Sequence, residues 1–170
     1  MRRRASRPRP DGDEAARARE AAVRLLARRE HSRRELLDKL RARGFAPAAA
    51  EAAVARLAAE GLQSERRFAE ALVRERIARG HGPRRIEAEL AQRGVAGELA
   101  AEVMAAAEVD WVRLAREVAR RRFRGPAGDR REWLRRARHL AGRGFTGEQV
   151  RAALGGDEGM ATGDDGTGWT

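Results

Sequence analysis

The chain has 170 residues, 37% of them charged, with no cysteine, no tyrosine and a net charge of +11. That composition excludes a disulfide framework and a cysteine-ligated zinc site. With only 4% aromatic residues, it also lacks the usual material of a β-sandwich or barrel core. The charged start has no apolar stretch behind it, and no uncharged apolar run approaches the roughly 18 residues of a membrane span. A soluble cytoplasmic protein is the expectation. Ala, Leu, Glu and Arg dominate, which favours an all-α fold.

The predicted elements run as follows. Residues 1–13 hold five Arg among Pro, Ser and Gly and read as a disordered basic arm. A first unit, 14–61, opens on a helix with Ala18, Ala22, Leu25 and Leu26 on one face. Its second helix has Ser32 and Glu35 at capping-box spacing, with Leu36, Leu37 and Leu40 as the apolar stripe. Its third has Pro47 in the first turn, then Ala50, Val54 and Leu57, and stops at Gly61.

A second unit, 62–107, repeats the scheme. Phe68, Leu72 and Ile77 are the expected buried residues of its first helix, Ile86 and Leu90 of its second, and Leu99, Val103 and Met104 of its third. "HGP" at 81–83 links the first two helices tightly. The third unit, 108–154, opens with Asp110 as a cap and Trp111, Leu114 and Val118 facing inward. Asp129 with Glu132, and Thr146 with Gln149, again have capping-box spacing. Residues 155–170 carry four acids and no base and read as a disordered acidic, Gly-rich tail. Units of under fifty residues bury too little apolar surface alone, so an elongated tandem array of three three-helix repeats is expected.

One phrase recurs: "RARGF" at 41–45, "AQRGV" at 91–95 and "AGRGF" at 141–145. Two readings compete, a repeated helix stop and a repeated contact with nucleic acid. A glycine adopts the left-handed conformation that ends a helix, Arg before it suits the helix dipole, and an apolar residue after it folds back on the last turn. This accounts for all three residues, so Gly44, Gly94 and Gly144 are assigned as helix caps.

Catalytic chemistry is not found. The three histidines share no metal-ligand spacing; His31 and His81 read as exposed loop residues and His139 as a half-buried packing residue. There is no phosphate-cradling loop ending in Lys-Ser or Lys-Thr, and no carboxylate pair stands out as an acid/base couple. No enzyme and no cofactor are expected.

The charge surplus points to binding instead. Every basic residue except Lys39 is Arg, and the acidic tail more than offsets the basic arm, so the folded middle carries the whole excess. Such a balance attracts polyanions. The densest stretch includes Arg113, Arg116, Arg120, Arg121, Arg122, Arg130, Arg131 and Arg135; a second cluster, Arg74, Arg76, Arg79, Arg84 and Arg85, surrounds the "GHGP" turn. These thirteen are the candidate contacts with a filament or nucleic-acid strand.

The ordered motifs "LLARREHSRRELLDKLRARGF" (25–45), "GLQSERRFAEALVRERIARGHGPRRIEAELAQRGV" (61–95) and "HLAGRGFTGEQVRAAL" (139–154) resemble the RecX family, regulators of the RecA recombinase. The sequence departs from the family pattern at "QSE" (63–65), at His139 where an aromatic is commoner, and at Arg136, where earlier units supply Leu36 and Ile86. The resemblance implies binding along the groove of a RecA filament on single-stranded DNA, mainly restraining strand exchange, ATP hydrolysis and repressor cleavage; a monomer is the expectation. An autonomous helical DNA-binding protein without a RecA partner is the alternative.

Overall fold

The computed structural model describes residues 11–155, so all but the end of the expected arm and nearly all of the expected tail lie outside the described residues. Among the described residues are nine α-helices and no strand. They are α1 (Asp11–Leu26), α2 (Arg33–Arg41), α3 (Pro47–Ala59), α4 (Glu65–Ala78), α5 (Pro83–Gln92), α6 (Gly97–Ala106), α7 (Trp111–Arg122), α8 (Arg130–Gly142) and α9 (Gly147–Leu154). The helix starts at Asp11, inside the segment read as arm. Asp13 and Glu14 in its first turn suit the positive end of the helix dipole. No described helix is long and apolar enough to cross a membrane.

The three-helix repeats follow in tandem, and the described chain forms two compact units. The first comprises residues 11–71 and 90–99, the second 72–89 and 100–155. In the first, α1 packs mainly on α3, with α2 closing the third side. Ala18, Ala22, Leu36, Leu40, Ala50, Val54 and Leu57 are completely buried in one cluster. Alanines face each other across α1 and α3, so little side-chain volume separates the two backbones. Truncating Leu57 there would cost about 2–5 kcal/mol. Ala46, the N-cap of α3, has no capping side chain; its N–H donates instead to Glu14 Oε1 from α1 at 2.9 Å.

In the second unit, Ala115, Val118 and Ala119 of α7 meet Leu140, Phe145 and Val150. Trp111 and Leu114 pack against that cluster as expected. Trp133 is buried on α8 and donates Nε1–H to the Gly155 carbonyl at 3.0 Å. Ile77, Leu99 and Met104, expected in the core, are half-buried.

Arg136 stands where Leu36 and Ile86 stand in the earlier repeats, and it too is buried, at 4% exposure. Its guanidinium donates to the carbonyls of Arg124, Gly125 and Pro126 and to Glu132 Oε1, and it lies over the Phe123 ring. A core position thus becomes a clasp for the loop between α7 and α8, because a buried cation requires partners and that loop offers carbonyls.

The helix stops are as the recurring phrase predicts. Gly44, Gly94 and Gly144 have φ of 85°, 83° and 93°. Phe45, Val95 and Phe145 donate to the carbonyls of Leu40, Leu90 and Leu140, and the three glycines to those of Arg41, Ala91 and Ala141, the paired hydrogen bonds of a Schellman cap. Of the three capping boxes only Thr146 with Gln149 is reciprocal. Ser32 and Asp129 each accept from the third helical N–H, but Glu132 turns to the Gly128 N–H. Glu35 makes other contacts, which define the first repeat junction.

Repeat junctions and the arginine surface

The Arg-Gly phrase does more than stop helices. In the first unit, Ser32 Oγ, the N-cap of α2, donates to the Arg93 carbonyl at 2.8 Å. Fifty residues on, in the second unit, the Gly82 N–H donates to the Arg143 carbonyl at 2.8 Å and the Arg84 N–H to that of Gly144 at 3.1 Å. The C-terminal turn of one second helix therefore satisfies the orphan donors and cap of the preceding repeat's second helix. Gly44, in the first of the three repeats, has nothing within 4 Å of where a side chain would begin. A Cβ on Gly94 would stand 3.1 Å from Arg34 Cβ, and one on Gly144 only 2.4 Å from Arg85 Cβ.

Around the first junction the polar groups are closely matched. Glu35 accepts from Arg93, from Arg29 at 3.0 Å and from the His31 ring at 2.9 Å. Buried Gln63 donates to the His31 carbonyl at 3.3 Å and to Glu65 at 2.9 Å, and Arg67 pairs with Glu30 at 2.8 Å. His31, expected to be exposed, is 3% exposed, because the junction closes over the turn that carries it. Burial first, then Arg29 and Lys39, pulls its pKa down to about 4. His81, also expected exposed, is half-buried at the second junction. Its pKa is lowered by burial, then by Arg85, Arg143 and Arg76. The shared spacing of 31 with 81, and of 43, 93 and 143, is the signal of these junctions in the sequence.

The candidate arginines separate by what already holds them. Arg76 is largely buried and grips Glu89 through two bonds of 2.6 Å, with Glu75 at 3.0 Å; that guanidinium holds the Glu89 carboxyl below the usual carboxylate range. Arg79 pairs with Glu75, Arg113 and Arg121 with Glu117, and Arg135 with Glu132. Arg116 donates to the Ala152 carbonyl at 2.8 Å, and Arg85 reaches that of Gly142 at 3.5 Å. Arg122 and Arg135 lie over the Phe123 ring, whose edge meets His139. Arg130 is exposed at the start of α8. Arg74, Arg84, Arg120 and Arg131 are exposed, and their guanidiniums have no acidic partner among the described residues.

The second unit also forms a dent of about 250 Å³ where the ends of α4 and α8 meet α7. Arg79, Arg121, Arg122, Arg143 and His139 line it, and no carboxylate does. Sequence reasoning places Arg79, Arg121 and Arg122 in the candidate set but Arg143 only as a cap residue. The fold brings them together because the α8 stop and the α4 stop converge at the junction.

Three family models match the chain in order: the first three-helix domain of RecX over residues 18–57, the second over 64–104 and the third over 108–154. Regulatory protein RecX of Halorhodospira halophila is 54% identical over 136 residues, covering 79% of this chain and 84% of that protein. Regulatory protein RecX of Chromohalobacter salexigens is 50% identical over 136 residues, 80% of this chain and 90% of that one. A crystal structure of RecX from Lactobacillus salivarius shares the fold at a TM-score of 0.72 and 20% identity, covering 84% of this chain and 96% of that one. With three domain models matched in order and a relative more than half identical over most of its length, the chain belongs to the RecX family of regulatory proteins.

Proposed function

We propose that this protein regulates a RecA recombinase without catalysing a reaction, by binding the RecA filament on single-stranded DNA in the cytoplasm. The binding mainly inhibits strand exchange, ATP hydrolysis and coprotease action. Family membership supports the regulatory role. The observation that carries the binding mode is the set of exposed arginines without acidic partners among the described residues, Arg74, Arg84, Arg120 and Arg131. Cations left unmatched on a folded surface favour an acidic protein assembly or its bound strand. Several such contacts along one target add through effective concentration. Arg76 contributes by holding α4 against α5 through Glu89 rather than by touching the partner.

The test is the DNA-dependent ATPase of RecA with and without the purified protein. Stoichiometric or smaller amounts lower the rate, and the double charge reversal Arg120→Glu with Arg131→Glu weakens that effect. An unchanged rate with the parent protein overturns the reading. An undiminished effect in the double variant removes these arginines from it.

A further inference from the structure

The two junctions are built on the same register but differ in charge. At the first, Glu35 answers Arg93. The residue fifty positions after Glu35 is Arg85, so Arg143, the counterpart of Arg93, pairs with no carboxylate among the described residues and donates Nη1 to the Arg79 carbonyl at 2.9 Å. Arg122 and Arg143 line the dent with no acidic partner among the described residues, while Arg79 and Arg121 also line it and lean on Glu75 and Glu117 in exposed pairs, which are worth little. One wall is closely packed: Gly80 is buried, and a Cβ there would lie 2.6 Å from Val118 Cγ2. Two histidines report the field. His139 has its pKa lowered by burial, then by Arg143 and Arg122, and His81 is lowered by burial and then by Arg85 and Arg143.

A carboxylate satisfies one guanidinium fork with its two oxygens. Several forks meeting in one concavity match a phosphate, which offers more oxygens and, as a phosphodiester, one on each side of the chain. We propose that this dent is a phosphate site, in which Arg122 and Arg143 hold the oxygens and Arg79 and Arg121 close around them. The site itself stands independently of the RecA reading. Its engagement of the DNA strand inside a filament rests on that reading.

The experiment uses the full chain in a phosphate-free buffer. Bound phosphate offsets the positive field, so millimolar inorganic phosphate raises the His139 pKa toward its ordinary value, read by NMR of the imidazole protons. In Arg122→Gln and Arg121→Gln the rise shrinks, and in Arg24→Gln, a surface variant of the first unit, it is unchanged; far-UV circular dichroism verifies that all three stay folded. Anisotropy with a fluorescent oligothymidine measures the salt dependence of binding. For the two dent variants the slope of log K against log salt falls by about 0.7 for each phosphate that the protein no longer neutralises. Both responses together assign the site to a nucleic-acid backbone, and the histidine response alone assigns it to free phosphate. An absent His139 response, or an equal effect of Arg24→Gln, overturns the site. RecA inhibition retained by the dent variants while oligonucleotide binding disappears keeps the site but overturns its part in the RecA reading. A phosphate response in a protein that does not inhibit RecA leaves only the phosphate site.

Discussion

Replacing each glycine of the recurring phrase by alanine separates its two roles. All three substitutions share the same conformational cost. An L-residue in the left-handed region costs about 1–2 kcal/mol, offset by roughly 0.4–1 kcal/mol from the reduced freedom of the unfolded chain. Gly44→Ala, at φ 85° with open space around it, therefore destabilises by about 1 kcal/mol. Gly94→Ala brings its Cβ to 3.1 and 3.2 Å from atoms of the Arg34 side chain, which can yield by a few tenths of an ångström, and destabilises slightly more. Gly144→Ala places its Cβ 2.4 Å from Arg85 Cβ and 2.6 Å from Arg85 N, against an ordinary separation of about 3.5–4.0 Å. Backbone must part there, at an overpacking cost of about 1–3 kcal/mol. It also stretches the Gly82 and Arg84 bonds to the Arg143 and Gly144 carbonyls, each worth about 0.5–1.5 kcal/mol. The expected total is about 3–7 kcal/mol. Urea unfolding followed by circular dichroism ranks the three variants, with fluorescence of Trp111 and Trp133 reporting on the second unit. Equal midpoints for Gly44→Ala and Gly144→Ala would refute the junction role of the repeated glycine.

The first junction responds to Glu35→Gln: its side chain is 11% exposed and serves Arg93, Arg29 and His31, so thermal unfolding shows a destabilisation of about 1–3 kcal/mol. Arg85→Glu gives Arg143 the carboxylate that Arg93 already has; it raises the melting temperature and reduces the phosphate response of His139. Because His31 has a folded pKa of about 4 against 6.5 unfolded, the unfolded chain takes up the proton first as pH falls. Its contribution is complete above pH 6.5 and declines toward pH 4, by at most about 3 kcal/mol; His31→Gln flattens stability measured across that window. Arg136→Leu restores the residue type of the other repeats at a buried position but frees the carbonyls of residues 124–126. Limited proteolysis then cuts the α7–α8 loop faster while the helix content stays unchanged.

Much of this molecule is decided by local chemistry, and so is legible in the sequence. Helix positions follow from apolar periodicity and from caps at Ser32, Asp110, Asp129 and Thr146, all acting within one turn of chain. The left-handed glycines follow because their missing side chain removes the steric penalty of that conformation. The three-fold phrase set the repeat count for the same reason. Hydrogen bonds between residues some sixty positions apart are another matter. Nothing local says that the Arg93 carbonyl receives Ser32, or that Glu35 abandons its capping box for Arg93, because those choices depend on which surfaces meet. The burial of His31 and Arg136 belongs to the same class: exposure is a property of what packs above a residue. The arginine surplus was plain from composition, whereas the tertiary structure decided which arginines are held by Glu75, Glu89, Glu117 or Glu132 and brought Arg79, Arg121, Arg122 and Arg143 to one dent that no carboxylate lines. Charge can be counted along a chain, but its neutralisation is settled only in three dimensions.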